Sequence, residues 1–369
     1  MLARLGQLLR RPLRRRFASL QVEVTTDCFL RCPFCPNRAL SGSWRKLYLP
    51  LPLYERLACA FPLARHVHLQ GWGEPLLHPE LPRMVELAKA AGCAVGTTSN
   101  GVLLREETAE RLLQSGLDLL VISIAGARAE THDRLRLGSR LAEIVANLEA
   151  LAERKRRLGT PLPKVVLSFL MHGQNPGELP AAVELAARVG AAELVATNLD
   201  CVVDEAGETG RAFVGAGLAS PWEEALAEAG ERARRHGILF RPYPLAEQEG
   251  VLVCEALAEE MPVVAADGGV FPCTYLNLPV DTIPRLHKGE RLALPRRPFG
   301  NLAEADLLAI WDGAQARAFR EAFKRRQRTH ERLAVGAQLL GTGEVDLAEV
   351  ERRAPLPETC RGCYKTRGV

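Results

Sequence analysis

Apolar runs alternate with amphipathic segments along the chain from residue 19 onward. The runs are short and rich in Val, Ile, Leu and Thr, a composition that favours β-strands over helices. Six strands are predicted in this way, at residues 19–25, 66–70, 94–98, 119–124, 165–170 and 193–197.

The segments between these strands carry apolar residues at helical spacing, and a glycine stops each of them. In the longest segment, five apolar residues share one face: Leu141, Ile144, Val145, Leu148 and Leu151. The predicted helices cover residues 81–91, 105–115, 141–158 and 179–189. Strands that alternate with helices predict parallel βα units, which places the chain in the α/β class.

Composition and charge limit which kinds of binding partner the protein can have. The chain has 369 residues, 47% hydrophobic and 25% charged, which suits one barrel with an appended module. A formal net charge of +4 is too small to indicate a nucleic-acid partner. No apolar run is long enough to span a bilayer, and the longest, residues 117–127, is better explained as a buried strand. We therefore expect a cytoplasmic protein.

The first sixteen residues form a basic arm with six arginines and no acidic residue. Its leucines at positions 2, 5, 8, 9 and 13 fall near helical spacing, which allows an amphipathic helix on a membrane surface or an acidic partner. Pro12 interrupts that helix, and an arm packed on the barrel or extending from it is the alternative. We expect an arm over residues 1–18, with peripheral membrane contact through residues 1–16 left open.

Three cysteines follow the first predicted strand in the pattern Cys28-x-x-x-Cys32-x-x-Cys35. Three thiolates on one loop can hold three irons of a [4Fe-4S] cube and leave the fourth iron open to a small molecule, because the cube takes four ligands. None of Cys, His, Asp or Glu lies between Cys35 and Glu55 to close the site. The alternatives are a zinc knuckle, which prefers paired CxxC motifs, and a disulfide framework, which no signal peptide supports here.

The CxxxCxxC pattern, with Phe34 before its last cysteine, resembles the radical S-adenosylmethionine (SAM) enzymes. The resemblance implies a partial (β/α)6 TIM-like barrel over residues 19–210, with its site at the carboxyl ends of the strands. It also implies SAM chelated by the open iron of a [4Fe-4S] cluster. Reductive cleavage of SAM then gives a 5'-deoxyadenosyl radical that abstracts a substrate hydrogen atom, with an external electron donor such as flavodoxin or ferredoxin.

The segment after the second predicted strand, Gly71-Trp72-Gly73-Glu74, resembles the part of that family that holds the SAM amino group. Small residues let the main chain approach a ligand closely, and a carboxylate suits an ammonium partner. Trp72 stands where the commoner pattern has a second glycine or another residue. The resemblance therefore implies a cofactor-binding role for Gly71, Gly73 and above all Glu74.

Two later strand ends and one helix end also resemble SAM contacts. Asn100 follows the third predicted strand, and Ser123 lies at the end of the fourth, where the family binds the ribose. Ala125 replaces the second ribose-binding residue, an Asp in the family. Arg136 resembles an arginine that meets the SAM carboxylate, since guanidinium pairs with carboxylate through two hydrogen bonds, and Arg134 is the alternative. A solvated helix face is the competing explanation for such polar residues.

A second set of four cysteines lies in the last third of the chain. Cys254 and Cys273 flank a predicted hairpin with a turn at residues 267–269, and Cys360 and Cys363 form a CxxC pair near the end. Four thiolates are enough to saturate a second [4Fe-4S] cluster with no open iron. A closed zinc site from the same thiols is the alternative.

This set resembles the SPASM extension of radical SAM enzymes, and four cysteines rather than seven match its shorter form, called twitch. The resemblance implies a small α+β auxiliary-cluster domain over residues 251–369, after a linker with a helix at residues 211–250. The 86 residues between Cys273 and Cys360 include a Pro- and Arg-rich stretch, 279–298, and a basic patch, 324–328. We expect a loop of this region to cover the barrel mouth.

Two residues are candidates for the chemistry itself. His172 follows the fifth predicted strand and is the residue there with a neutral-range pKa, although a structural histidine is the commoner case. Tyr275 follows Cys273 near the place where some sulfatase maturases carry an Asp, and ordinary packing is its alternative. Oxidation of an alcohol needs such a group near the attacked carbon to take up a proton.

The resemblance implies a radical SAM oxidoreductase that oxidises or crosslinks a peptide or small-molecule substrate with help from the second cluster. A peptide- or protein-modifying maturase and a dehydrogenase of alcohols or sugars both remain open. A radical group transferase is disfavoured because no cobalamin-binding domain is present. A non-catalytic metal scaffold is the third class, which the βα order and Glu74 argue against.

Overall fold

The computed structural model describes residues 15–215, 217, 219–248, 251–254, 256, 259–340 and 345–369. Residues 1–14, which include most of the predicted basic arm, lie outside the described residues. Membrane contact through that arm therefore stays a prediction. Among the helices that are described, none combines the length and apolar character needed to cross a bilayer.

The strands of the described part are β1 Phe17–Val22, β2 Ala64–Leu69, β3 Ala94–Ser99, β4 Leu119–Ile124, β5 Lys164–Met171, β6 Glu193–Asn198, β7 Leu239–Pro242, β8 Val263–Val264, β9 Gly269–Phe271, β10 Thr282–His287, β11 Glu290–Pro295 and β12 Gly300–Asn301. Ten of them form one sheet in the order β12-β9-β8-β1-β2-β3-β4-β5-β6-β7, and β10 pairs with β11. The neighbours from β1 to β7 are all parallel, which confirms the predicted barrel core.

The helices of the described part are α1 Pro36–Ala39, α2 Leu51–Glu55, α3 Leu81–Ala90, α4 Glu106–Gln114, α5 Ala129–Leu135, α6 Leu141–Leu158, α7 Leu179–Arg188, α8 Glu205–Gly210, α9 Glu223–His236, α10 Leu307–Trp311, α11 Ala314–Leu340 and α12 Leu347–Arg353. The long helix α6 has the predicted bounds. It ends where Gly159 takes a φ of 64°, a left-handed conformation that glycine adopts without strain.

Alternation along β4 shows how the barrel is filled. Leu120, Ile122 and Ile124 are fully buried, whereas Val121 and Ser123 on the opposite face are partly accessible. Since successive side chains of a strand point to opposite faces, the apolar set packs under the helices and the other set faces the barrel lumen. The lumen is therefore the side on which polar residues of the strands meet.

The first predicted strand is shifted to Phe17–Val22 because the chain changes partners after Val22. The carbonyl oxygen of Val24 accepts a hydrogen bond from the backbone N–H of Leu49 at 2.8 Å, and Thr25 forms an antiparallel bridge with Tyr48. The chain thus leaves the barrel three residues before the predicted end and starts the cysteine loop from a second support.

The segment predicted as a linker, residues 211–250, adds a helix and a strand to the barrel. Helix α9 is the helix expected in this segment, and β7 pairs in parallel with β6. No strand was predicted at β7, because it is an edge strand with most of its residues exposed. Directly before this segment, residues 205–210 form the short helix α8, whose start is capped by Asp204 accepting from the Gly207 N–H at 2.9 Å.

The predicted hairpin after Cys254 is confirmed as the antiparallel pair β8 and β9. Strand β8 of this hairpin also pairs in parallel with β1, so the hairpin extends the barrel sheet. The Pro- and Arg-rich stretch expected as a loop forms the hairpin β10–β11 instead. The Leu286 N–H donates to the carbonyl oxygen of Val202 at 2.9 Å, so this hairpin lies against the loop that follows β6.

Candidate active site

The three-cysteine loop is held by its backbone and by apolar packing. The Cys35 N–H donates to the carbonyl oxygen of Cys32 at 3.1 Å, and Cys35 caps the start of α1. Cys32 and Phe34 pack with Ala125 beyond β4 in one small apolar cluster. The loop is therefore fixed over the carboxyl ends of the strands, as predicted.

The thiols of this loop lie close enough to influence one another. Burial first, and then the negative charge of Glu74, Cys35 and Cys32, raise the pKa of Cys28 to about 12. Burial and the Cys32 thiol raise the pKa of Cys35 to about 11, while Arg136 opposes that shift. Thiolates buried together need cationic partners, which the irons of a cluster supply. This donor set fits an iron-sulfur cluster.

Glu74 lies beside this loop, and the structure explains why it is surrounded by glycines. Its side chain is 2% exposed and accepts hydrogen bonds from the Ser99 hydroxyl at 2.7 Å and from the Leu76 and Asn100 N–H groups at 3.0 and 2.7 Å. A Cβ on Gly73 would lie 2.5 Å from the carbonyl oxygens of Thr25 and Asp27. No side chain fits there, so this turn requires glycine.

The pKa of Glu74 is raised by burial, against which its hydrogen bonds and Arg136 act. Two of its three acceptor bonds fall on one oxygen, so the other keeps a free lone pair. An ammonium group placed there would offset the desolvation of the carboxylate. The site thus fits the amino group that the resemblance assigns to Glu74.

Two buried donors near Glu74 have no hydrogen-bond partner, the Asn100 Nδ2 and the Arg136 Nε. Buried polar atoms without partners are uncommon and call for an explanation. A carboxylate bound here would accept from both donors, which fits the amino acid part of SAM. Arg134, the alternative to Arg136, is exposed and acts electrostatically on His172 instead.

Ser123 lies away from this pair, on the wall of a cavity of about 370 Å³ inside the barrel. Cys273, Thr274 and Tyr275 of the auxiliary domain line the same cavity. The cavity therefore runs from the strand ends to the second cysteine set.

The auxiliary cysteines also come together. Burial, followed by the charges of Cys363 and Cys254, raises the pKa of Cys273 to about 12. Burial, then Cys273, Cys363 and Cys254, raises the pKa of Cys360 well above its usual value. The Arg285 guanidinium donates to the carbonyl oxygens of Thr359 and Arg361 at 2.9 and 3.2 Å and fixes the CxxC loop.

Cys201, which shows no ligand spacing in the sequence, lies between the two cysteine sets. After burial and Asp200, both Cys363 and Cys35 contribute to the raised pKa of its thiol. Among the described residues, no three His, Cys, Asp or Glu side chains stand as close as ligands of a single metal ion. Ligation by the seven predicted cysteines therefore stays a prediction, which their shared electrostatics support.

The two predicted catalytic residues lie in different cavities. His172 is 6% exposed and lines a cavity of about 680 Å³ with Phe34, whose ring centroid is 5.7 Å away. Burial and Arg134 lower the pKa of His172, which keeps its ring neutral. Tyr275 instead lines the barrel cavity, and its hydroxyl donates to Asp200 Oδ1 at 3.0 Å.

Sequence reasoning missed the residues that join the two domains. Glu23 is 1% exposed and accepts from the Trp72 N–H at 2.9 Å and from the Ala266 N–H at 3.3 Å. The Trp72 indole N–H donates to the Thr274 carbonyl oxygen and to Asn277 Oδ1, both at 3.0 Å. The Trp72 side chain, which departs from the family pattern, therefore joins the loop after β2 to the segment that follows the auxiliary hairpin.

Lys365 is the other residue that the sequence did not single out. Its ammonium lies 2.7 Å from Asp200 Oδ2, with side-chain exposures of 5% and 13%. Only the CxxC motif two residues earlier pointed to this part of the chain, and nothing in the sequence joins it to β6. Tertiary folding alone brings this ion pair to the cavity.

Comparison with known families agrees with these observations. The profile of the radical SAM superfamily matches residues 22–186, and that of SPASM, an iron-sulfur cluster-binding domain, matches residues 254–333. The matches confirm the resemblance drawn from the cysteine patterns. They imply a [4Fe-4S] cluster and SAM for the first domain and auxiliary iron-sulfur chemistry for the second.

Two curated relatives align over most of the chain. The cofactor-modifying protein of a tungsten-containing aldehyde ferredoxin oxidoreductase from Pyrococcus furiosus is 25% identical over 305 residues, 82% of each protein. PqqA peptide cyclase from Ruegeria pomeroyi is 27% identical over 362 residues, 94% of this chain and 79% of the cyclase. Other PqqA peptide cyclases and GTP 3',8-cyclases align over only 45% to 57% of their own length.

Among solved structures, Streptococcus suis SuiB bound to its precursor peptide SuiA has the same fold. The TM-score is 0.59 at 14% identity, over 86% of this chain and 70% of that one. At this identity the similarity concerns the fold, in which a barrel is followed by an auxiliary domain.

Proposed function

This chain belongs to the radical SAM superfamily and carries a SPASM-type iron-sulfur domain, and from this premise we propose that it oxidises or crosslinks a peptide substrate. When bound, SAM and its reduced cluster supply the one-electron chemistry that removes a hydrogen atom from the substrate. The residues that would hold the two clusters are Cys28, Cys32 and Cys35 for the open one and Cys254, Cys273, Cys360 and Cys363 for the closed one.

Three side chains would fix the amino acid part of SAM. Glu74 would accept from its ammonium group, while Asn100 Nδ2 and Arg136 would donate to its carboxylate. Gly71 and Gly73 let the loop backbone approach, and Ser123 faces the lumen where a ribose would lie. Phe34, packed against His172, would shield this corner from water.

The observation that carries the proposal is the barrel cavity, which runs from the carboxyl ends of the strands to Cys273 of the second cysteine set. Ser123 lies at one side of it and Cys273 at the other. A substrate held there would lie beside the SAM-binding strand ends and beside a ligand of the second cluster at once. Such a position suits oxidation or bond formation, because an electron left after hydrogen abstraction has an acceptor within reach.

Tyr275 would serve as a hydrogen-bond donor rather than a base. Burial first, and then Asp200, raise its pKa well above the usual value, so the hydroxyl keeps its proton. His172, with its lowered pKa, would position Phe34 from the other cavity. We propose no proton transfer for either residue.

A peptide substrate is supported by the relatives, since the cyclase similar over 94% of this chain acts on PqqA, as its name states. We further propose an external one-electron donor of the flavodoxin or ferredoxin type. A small alcohol or sugar substrate is the alternative within the same chemistry.

Anaerobic reconstitution tests the proposal. Protein loaded with iron and sulfide and given SAM and dithionite should form 5'-deoxyadenosine, and the variant Cys32→Ala should not. Peptides encoded beside the gene should lose two hydrogens, a change of about two mass units that mass spectrometry detects. Absence of 5'-deoxyadenosine from the fully loaded protein would contradict the proposed function, whereas turnover of an alcohol but no peptide would favour the alternative.

A further inference from the structure

The barrel lumen is lined by uncharged polar side chains where a closed barrel would be filled by Val, Ile and Leu. Each of the six strands β1 to β6 contributes one such residue, within the strand or directly after it. These residues are Gln21, Gln70, Thr98, Ser123, Ser168 and Thr197.

One corner of this cavity combines an unpartnered acceptor with an ion pair. Asn198 is 5% exposed, and its Nδ2 donates to the Pro244 carbonyl oxygen at 2.7 Å, but its Oδ1 has no partner. Asp200, two residues on, accepts from the Tyr275 hydroxyl at 3.0 Å and pairs with Lys365 at 2.7 Å. We call Asn198, Asp200, Tyr275 and Lys365 the polar corner.

The charges of the polar corner favour some substrate groups over others. Asp200 and Lys365 are the charged residues among the described ones that line the cavity, and they neutralise each other. A charged substrate group would have to break this pair and would leave one buried charge without a counter-ion. A group without net charge is therefore favoured.

The lining also selects against hydrocarbon. An apolar group in this lumen would remove water from six polar side chains without replacing their hydrogen bonds, and it would leave Asn198 Oδ1 without a donor. A group that donates a hydrogen bond satisfies Oδ1 instead. Sites built to hydrogen-bond a substrate hydroxyl reject the analogue that lacks it far more strongly than apolar pockets discriminate by size.

We propose that the polar corner binds an uncharged, hydrogen-bond-donating group of the substrate, a hydroxyl or carboxamide carried by an amino acid residue. This assignment rests on the proposed function, because it places a peptide substrate in the cavity between the strand ends and the second cysteine set. Asn198 Oδ1 accepts the donated hydrogen bond, and Asp200, held by Tyr275 and Lys365, orients the group. The residue to be modified is then polar and uncharged, not aliphatic or ionised.

Two isosteric probes test the assignment on the reconstituted full-length protein with SAM bound. N-acetyl-L-threoninamide and N-acetyl-L-valinamide differ by a hydroxyl in place of a methyl group. Their dissociation constants, measured by ligand-observed NMR, should favour the threonine probe by about tenfold or more. The same preference should exclude N-acetyl-L-lysinamide as a ligand of comparable affinity.

Single substitutions show whether the preference for the threonine probe arises at the polar corner. Asn198→Leu should remove it, and Asp200→Asn should reduce it if the leucine variant does not fold. Asn147→Leu is the matched control, because that amide also supports a backbone carbonyl, of Gly101 at 3.0 Å, but does not line the cavity. Circular dichroism and iron content confirm that each variant is folded and loaded.

Equal binding of the two probes, binding of neither, or a preference that survives both Asn198→Leu and Asp200→Asn would overturn the assignment. The proposed function is tested separately, by measuring the 5'-deoxyadenosine that forms in the absence of either probe. Formation of 5'-deoxyadenosine together with equal binding of the two probes leaves the proposed function intact and removes this inference alone.

Discussion

At the scale of single residues, the proposed SAM site is a set of polar groups whose charges and hydrogen bonds the protein itself leaves unpaired. Glu74 carries a desolvated carboxylate, and Asn100 and Arg136 each carry a buried donor with no acceptor. Such imbalance costs free energy in the unliganded fold, which a zwitterionic ligand returns on binding. The arrangement thus favours a ligand with an ammonium and a carboxylate on adjacent atoms.

Arg136 tests this interpretation directly. Replacing it in Arg136→Met removes a charge-assisted hydrogen bond of about 1.5–3 kcal/mol, so the dissociation constant of SAM should rise roughly ten- to hundredfold. Calorimetric titration of the reconstituted protein measures the change. Arg134→Met, an exposed neighbour, is the control and should leave SAM affinity within about threefold, as surface charges contribute little. Equal losses in the two variants would count against Arg136 as the carboxylate ligand.

Glu23 predicts a pH dependence of stability. Burial raises the pKa of Glu23 from 4.5 to about 7, so the folded protein binds this proton more tightly than the unfolded chain does. Stability from this group is therefore present below about pH 4.5, falls as the pH rises towards 7, and is lost above it, by an amount on the order of 3 kcal/mol. Glu23→Gln imitates the protonated carboxyl and should remove that fall.

Denaturant unfolding at pH 5 and pH 8 under anaerobic conditions measures the effect of Glu23. The wild-type protein should lose more free energy of unfolding between the two values than Glu23→Gln does. Asp281→Asn is the control, because its side chain is 93% exposed and its pairing with Arg45 contributes little. Identical pH profiles for wild type and Glu23→Gln would show that Glu23 ionises freely.

At the scale of elements, the sequence predicted those whose signals are local. Helix α6 and strand β4 have the predicted bounds because their apolar periodicity and their glycine or polar ends are complete in the sequence. Strands β7 and β11 were missed because most of their residues are exposed, and the order of both strands comes from the neighbours with which they pair. Glu74 could be proposed as a site residue because its motif is local in the sequence. The Asp200–Lys365 pair could not, because its two residues meet only in the folded chain.

The loop after β2 connects the barrel to the segment after the auxiliary hairpin through the Trp72 indole. Replacing Trp72 tests this connection. Trp72→Phe keeps a ring but removes the indole N–H, leaving Asn277 Oδ1, in a residue with 0% exposure, without that donor. The loss of about 1–3 kcal/mol should make hydrogen exchange through local opening of residues 266–277 roughly five- to hundredfold faster. Mass spectrometry of exchanged peptides resolves this segment.

Trp222→Phe is the matched control for Trp72→Phe. Trp222 is fully buried like Asn277, but its indole N–H has no partner in the structure, so its removal breaks no hydrogen bond. Exchange at residues 266–277 should stay unchanged in this variant. Faster exchange there in both variants, or in neither, would mean that the indole hydrogen bonds do not hold the hairpin.

At the scale of the whole molecule, one sheet carries both cysteine sets. Strand β8 of the auxiliary hairpin pairs with β1, and the chain that leaves β1 forms the first cysteine loop. The two cysteine sets are thus supported by neighbouring strands, and Cys201 lies within electrostatic reach of both sets. Each proposed cluster nevertheless has its own cysteines, so each should assemble without the other.

Removing cysteines from one set at a time tests whether the two clusters assemble independently. Reconstituted wild-type protein should hold about eight irons, four in each cluster, and Cys28→Ala/Cys32→Ala/Cys35→Ala should keep about four and form no 5'-deoxyadenosine. Cys360→Ala/Cys363→Ala should also keep about four irons and still cleave SAM, because the open iron is untouched, yet release no oxidised product. Cys59→Ala, which removes an exposed thiol, should match wild type in both measurements. Zinc in place of the second set of irons, or loss of all iron in either multiple variant, would show that the auxiliary cysteines form a different site or that the two sites fold as one.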